Sequence, residues 1–138
     1  MHILMCNDDG ILADGLRHLA SYLSQYYRIT VVAPANEQSA KSHALTTEIP
    51  LKLDAYNGED ENPRLYALTG TPSDCMKFGL SYLLADDMPD LVISGINHGF
   101  NLGSDVLYSG TVSAAMESCF YGIPGLALSV ERYSAERG

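Results

Sequence analysis

Positive charge is scarce in this sequence. Its 138 residues carry eight Lys and Arg against seventeen Asp and Glu, a formal net charge of −9 with the histidines neutral. A nucleic-acid-binding surface needs clustered cations to displace counterions, so no nucleic-acid partner is expected. The same shortage argues against adsorption to an anionic membrane. Long hydrophobic runs are missing as well. None approaches the roughly 20 residues needed to span a bilayer, so no membrane partner is expected either. Asn7-Asp8-Asp9 breaks the apolar stretch after Cys6, and no signal peptide is expected at the amino end. Cysteine is sparse: there are three, an odd number, with no CxxC. That points to reduced thiols and a cytoplasmic location rather than a disulfide framework. There is no GxGxxG and no Walker A lysine motif, which removes support for a dinucleotide site or a P-loop.

What is present suits a single α/β domain. Hydrophobic residues make up 46% of the chain and charged residues 18%, so disorder is not expected. A chain of this length buries roughly two-thirds of its unfolded surface. The pattern alternates strand and helix, which predicts a largely parallel sheet. Strands are expected at His2–Cys6, Arg28–Ala33, Asp90–Ser94 and Leu126–Val130. Leu16, Leu19, Leu23 and Tyr26 recur at helical spacing within Gly15–Tyr26, with Asp14 as N-cap. Residues 34–46 are polar and aperiodic and read as a loop. Ile49, Leu51 and Leu53 alternate with polar neighbours, which predicts a half-solvated strand from Glu48 to Asp54 pairing with Arg64–Leu68 as a small antiparallel insertion. A helix opens at Thr71 with Pro72 in its first position and Asp74 in its first turn; Met76, Leu80, Leu83 and Leu84 form its apolar face. A last helix is expected over Thr111–Tyr121, burying Val112, Ala115, Met116, Cys119 and Phe120.

Three chemically rich segments each follow a strand: Asn7-Asp8-Asp9-Gly10, the loop holding Ser39, and Asn97. In open α/β sheets ligands bind outside the carboxyl ends of the strands, so parallel strands would gather all three on one edge. Adjacent aspartates repel unless a cation neutralises them. A hard divalent ion such as Mg²⁺ or Mn²⁺ prefers oxygen ligands. Asp8 and Asp9 would supply charge, and the Ser39 hydroxyl and Asn97 amide would supply neutral oxygens. The plain alternative is that Asn-Asp-Asp-Gly is only a turn. Gly95 to Ser109 reads as a long Gly- and Asn-rich loop that also holds Gly99 and Gly103, with Asn97 and Asn101 between them, and runs into Ser109-Gly110-Thr111 at a helix start. Glycines let backbone N–H groups approach an anion, and a helix N-terminus is a ready phosphate site. Gly95, Ser109, Gly110 and Thr111 are therefore candidate substrate contacts, although Ser109 or Thr111 also suits capping. His98 is a weaker candidate for protonating a leaving group. Lys41 and His43 read as solvated surface, as does His18, and Cys6, Cys75 and Cys119 as core.

These stretches resemble one known family. Ile3-Leu4 through Asn7-Asp8-Asp9-Gly10 to Gly15-Leu16, Val31-Val32-Ala33-Pro34, Ser39-Ala40, Leu45-Thr46, Gly70-Thr71-Pro72-Ser73-Asp74-Cys75, Pro89 through Ser94-Gly95-Ile96-Asn97-His98-Gly99, Asn101-Leu102-Gly103 to Asp105, and Tyr108-Ser109-Gly110-Thr111 are similar to the SurE (survival protein E) family of metal-dependent 5′(3′)-nucleotidases. The resemblance implies a Rossmann-like α/β three-layer sandwich and one divalent cation held by Asp8, Asp9, Ser39 and Asn97. It also implies hydrolysis of nucleoside 5′- or 3′-monophosphates in the cytoplasm. It implies too that residues 1–138 form one domain truncated at its carboxyl end. Family members are longer, and their further part completes the sheet and supports a homo-oligomer, dimer or tetramer. Two positions depart from the usual pattern: Gln38 precedes Ser39 where many members have Arg, and Ser118 follows Glu117 where many have Gly.

The expected chemistry is metal-assisted phosphomonoester hydrolysis, with Asp8, Asp9 and Asn97 as the catalytic set and Asp8 or Asp9 taking the proton of the attacking water. The rival class is a Mg²⁺-binding phosphoacceptor receiver domain. That reading needs a separate acceptor aspartate after a central strand and a lysine after a later one. Here the later strands end in Ser94-Gly95 and Ser129-Val130.

Overall fold

The computed structural model describes residues 1–36, 50–98 and 110–130, with His98 described in its backbone only. The strands are β1 (His2–Cys6), β2 (Arg28–Pro34), β3 (Leu53–Ala55), β4 (Arg64–Leu68), β5 (Leu91–His98) and β6 (Gly125–Val130). The helices are α1 (Asp14–Leu23), α2 (Pro72–Phe78) and α3 (Gly110–Glu117). A π-helical turn, Gly79–Leu83, extends α2, and a 3₁₀ turn, Ser118–Tyr121, extends α3.

Hydrogen bonding joins the six strands in the order β3-β4-β2-β1-β5-β6. Every neighbouring pair is parallel except β3 with β4. β1 and β2 are buried almost throughout, as strands covered on both faces must be. Alternate residues feed two cores. Ile3, Met5, Val31 and Ile93 pack with Leu16 and Ala20 of α1. Leu4, Cys6, Val32 and Val92 pack with Cys75 and Met76 of α2 and Ala114 of α3. Helices therefore cover both faces of the sheet, and the chain is a Rossmann-like, three-layer α/β sandwich.

Several local expectations need correction. Ala13, in extended conformation, precedes α1, and Asp14 is the first helical residue, where its charge still suits the positive end of the helix dipole. The antiparallel strand before β4 covers only Leu53–Ala55, while Lys52 stays tied to Thr69 by two hydrogen bonds, Lys52 N–H to the Thr69 hydroxyl and Thr69 N–H to the Lys52 carbonyl. β5 runs on to His98 instead of stopping at Ser94. In α3 the buried residues are Gly110, Thr111, Ser113, Ala114, Ala115 and Glu117, whereas Met116, Cys119 and Phe120 are exposed. Small side chains let this helix lie close on the sheet. Of the five residues that hydrophobic spacing selects, Ala115 is buried and Val112 half-buried, while Met116, Cys119 and Phe120 face outward. Cys119 is accordingly no core residue, whereas Cys6 and Cys75 are buried. Burial pushes the Cys75 thiol well above its ordinary range, and a hydrogen bond with Cys6 adds to the shift.

Candidate functional site

The strand order reverses at β1. The chain passes from β1 through α1 to β2 on one side, and later comes back to pair β5 against the other side of β1. α1 covers one face of the sheet and α3 the opposite one. The carboxyl ends of β1 and β5 are therefore a topological switch point, the place where open α/β sheets hold ligands. Asp8 and Asp9 leave β1 at this point, and Asn97 lies at the same end of β5.

The 7–10 loop is braced from within. Asn7 has no solvent exposure. Its amide nitrogen donates to the Gly10 carbonyl at 2.9 Å, and its amide oxygen accepts the Gly10 N–H at 3.1 Å. Gly10 has φ +108°, a backbone conformation that a side chain would disfavour. Ile11 N–H then donates to the Pro34 carbonyl at 2.8 Å, tying the loop to the end of β2. The two aspartates therefore sit on a closed loop rather than a solvated turn.

Asp8 meets the start of α3 directly. It is 3% exposed, and its Oδ1 accepts a 3.1 Å hydrogen bond from the Thr111 hydroxyl. A Cβ on Gly110 would lie 2.9 Å from the Asp8 Cβ and 3.0 Å from Pro72 Cγ, so only glycine allows this approach. Pro72 is held in turn by the capping box of α2. The Thr71 hydroxyl accepts the Asp74 N–H, and the Asp74 carboxylate accepts the Thr71 N–H. Asp9 is half-buried, and its Oδ2 is shielded from solvent.

A one-residue bulge sets the direction of Asn97. Ser94 pairs with Ala127 and Asn97 with Ser129, so β5 spends three steps where β6 spends two. Gly95 sits in the bulge with φ +140°, and a Cβ there would overlap the Leu128 carbonyl. Strict alternation would send Asn97 to the α1 face, with Leu91 and Ile93. The bulge shifts the alternation by one. Ile96 lies against Gly15 of α1, and Asn97 shares the face of Ser129, Ser94 and α3. Leu4 and Cys6 alternate onto that same face, so Asp8 and Asn97 leave adjacent strands on the α3 side.

Asp8, Gly110 and Thr111 are thus in contact, and Asn97 and Gly95 lie on the neighbouring strand end. Gly95 is placed where the β5–β6 packing itself demands glycine. Ser39, Lys41, His43 and Ser109, with the departure at Gln38, lie outside the described residues, as does the His98 side chain. Sequence reasoning has Asn7 only as part of an Asn-Asp-Asp-Gly turn and not as the residue that closes it, although Asn at the first and Gly at the fourth position is a recognised turn pattern. It also missed the Thr111–Asp8 bond and the bulge. Among the described residues no group of three or more His, Cys, Asp and Glu side chains comes together. What this edge offers is two consecutive carboxylates with amide and hydroxyl oxygens, a donor set that suits a hard divalent cation better than a soft one. No helix among the described residues is long and apolar enough to cross a membrane.

The doubly wound α/β sheet thus carries an acidic loop at its switch point, abutting the N-terminus of α3. The family model for survival protein SurE matches residues 3–137, and the chain belongs to that family. It is 54% identical over 129 residues to the 5′-nucleotidase SurE of Thermoanaerobacter sp. (strain X514), covering 94% of this chain and 50% of that protein. It is 50% identical over 130 residues to the 5′-nucleotidase SurE of Vibrio vulnificus (strain YJ016), covering 94% of this chain and 49% of that protein. The crystal structure of the SurE protein from Aquifex aeolicus superposes with a TM-score of 0.83 at 41% identity, covering 98% of this chain and 53% of that one. The chain spans about half the length of the curated relatives it matches.

Proposed function

We propose that this chain carries the site of a metal-dependent phosphomonoester hydrolase acting on nucleoside 5′-monophosphates, with 3′-monophosphates as further substrates. The observation that carries the reading is the seating of Asp8 on Gly110 and Thr111. It puts an acidic loop against the N-terminus of α3, which is where a phosphate is favoured. The relatives' name, 5′-nucleotidase, supports the same substrate class.

Asp8, Asp9, Ser39 and Asn97 would hold one divalent cation, Mg²⁺ or Mn²⁺. When bound, the cation supplies charge that offsets the negative charge building on the phosphoryl group and acidifies a water. Positive charge is needed, because a chain of net charge −9 otherwise repels a phosphate dianion. The backbone N–H groups at Gly110 and Thr111, with Ser109 and the Gly95 segment, orient the phosphoryl oxygens. Asp8 or Asp9 takes the proton of the attacking water. The setting we propose is cytoplasmic, in a homo-oligomer when the longer chain is present.

A phosphate-release screen across 5′- and 3′-nucleoside monophosphates, with Mg²⁺ and with Mn²⁺, tests the proposal. Catalytic release from at least one nucleotide supports it. Stoichiometric labelling by acetyl phosphate, without turnover of any nucleotide, overturns it in favour of a receiver domain.

A further inference from the structure

We infer that Thr111 is a positioning residue for Asp8: its hydroxyl fixes the carboxylate, and the cation affinity of the site depends on that bond. The inference rests on the cation-binding reading above and adds a residue to it.

The Thr111 side chain is fully buried, and its hydroxyl donates to Asp8 Oδ1 at 3.1 Å across 103 positions of sequence. A hydroxyl has a single proton to donate. That proton is committed to Asp8, so the side chain cannot also donate it to a phosphoryl oxygen. Capping does not account for the contact either, because a capping hydroxyl accepts from a backbone N–H. Any Thr111 contact with phosphate then falls to its backbone N–H, while the side chain acts on the carboxylate.

Two features make the bond stiff. Gly110 brings the helix start within van der Waals reach of Asp8 and Pro72, as no larger residue could. Asn7 closes the loop that carries Asp8. The carboxylate is gripped from the α3 side while its backbone is gripped from the β1 side. Hydrogen bonds of this kind orient a metal ligand and raise its affinity. The consequence is a physical link between cation and phosphate sites, since one turn of α3 serves both.

Mn²⁺ titration calorimetry on the 138-residue chain tests this, comparing the parent with Thr111→Val, Thr111→Ser and Asp8→Asn. Thr111→Val keeps the shape and removes the hydroxyl; it should bind Mn²⁺ about 10–100-fold more weakly, the usual effect of losing such a partner. Thr111→Ser should restore the parent affinity. Thr111→Val leaves the buried Asp8 carboxylate without this donor, so the metal-free variant should melt below the parent; Mn²⁺ affinity is therefore compared at a temperature where both chains are folded. The variant's KM for AMP at saturating Mn²⁺ should be unchanged. If Thr111→Val does not fold, Thr111→Ala is read the same way. Mn²⁺ affinity undiminished in the hydroxyl-free variant, with Asp8→Asn impaired, overturns the inference and leaves the cation site standing. Unchanged Mn²⁺ affinity with a raised KM for AMP marks a direct phosphate contact and also overturns it. Mn²⁺ binding indifferent to Asp8→Asn overturns the cation-binding reading, and the inference falls with it.

Discussion

Asn7 spends both ends of its buried amide on Gly10, and the loop bearing Asp8 and Asp9 is closed by that exchange. Replacing it by Ala leaves a buried N–H and a buried carbonyl without their partner. Asn7→Ala should lower stability by roughly 1–3 kcal/mol, read as a shift in the urea midpoint, and should weaken Mn²⁺ binding at temperatures where the fold persists. A second buried polar residue sits at the opposite, amino end of the sheet. His2 is 5% exposed. Its Nδ1 faces Arg28 Nη2 at 3.0 Å, its Nε2 faces the Thr30 hydroxyl at 2.8 Å, and its backbone N–H donates to Asp90 at 2.8 Å. Burial and then the Arg28 charge lower its pKa from the ordinary value, outweighing the opposing pull of Asp87 and Asp90. The neutral ring is the folded form, with Nδ1 accepting from Arg28 and Nε2 donating to Thr30. Above the ordinary histidine range both folded and unfolded states are neutral. As pH falls below it the unfolded chain takes the proton first, so stability declines towards acid. Thermal melting should therefore drop between pH 7.5 and pH 5.5 (roughly one unit either side of the ordinary value), and the drop should shrink in His2→Gln. An identical drop in that variant would contradict the assignment. The carboxylates and Asn97 could be picked out from residue type and strand-end position. The direction of the Thr111 hydroxyl could not, because it depends on a contact across 103 positions.

Among the secondary-structure elements, α2 was the most readable. Thr71, Pro72 and Asp74 carry a helix start within four consecutive positions, and the structure makes both bonds of the capping box. Thr71→Ala should cost about 1 kcal/mol, visible as a lower urea midpoint; no change would mean that Pro72 alone holds the helix start. α3 misled because its buried face is made of Gly, Thr, Ser and Ala, with Glu117, and helical spacing of large apolar residues marks the wrong side. Close packing explains the choice: Gly125 of β6 lies so near the Ala115 carbonyl and the Ser118 hydroxyl that a Cβ there would collide. In β5 the strand's existence was legible and its bulge was not. Gly95 looks from sequence like one more loop glycine. Only the pairing of Asn97 with Ser129 shows that the alternation has shifted and carried Asn97 to the α3 face.

For the molecule as a whole, alternating strands and helices gave away the α/β class and the antiparallel β3–β4 pair, but not the strand order. Nothing local records that β1 pairs with β5, across more than eighty positions. That pairing creates the switch point in strand order at β1. β6 is the edge of the sheet among the described residues, with Leu126 and Val130 exposed on it and Met116 and Phe120 exposed on and just beyond α3. An unpaired apolar edge recruits other chains. Residues 1–138 alone should therefore self-associate, as light scattering would record; a stable, monodisperse monomer would contradict that expectation. The central claim is that Asp8 and Asp9 hold a cation used to release phosphate. Phosphate release from AMP with Mn²⁺ addresses it most directly, measured for the parent with and without EDTA and for Asp8→Asn and Asp9→Asn. The account predicts turnover by the parent, abolished by EDTA and by either substitution, with both variants still folded. Turnover that survives EDTA, or that survives both substitutions, would contradict it.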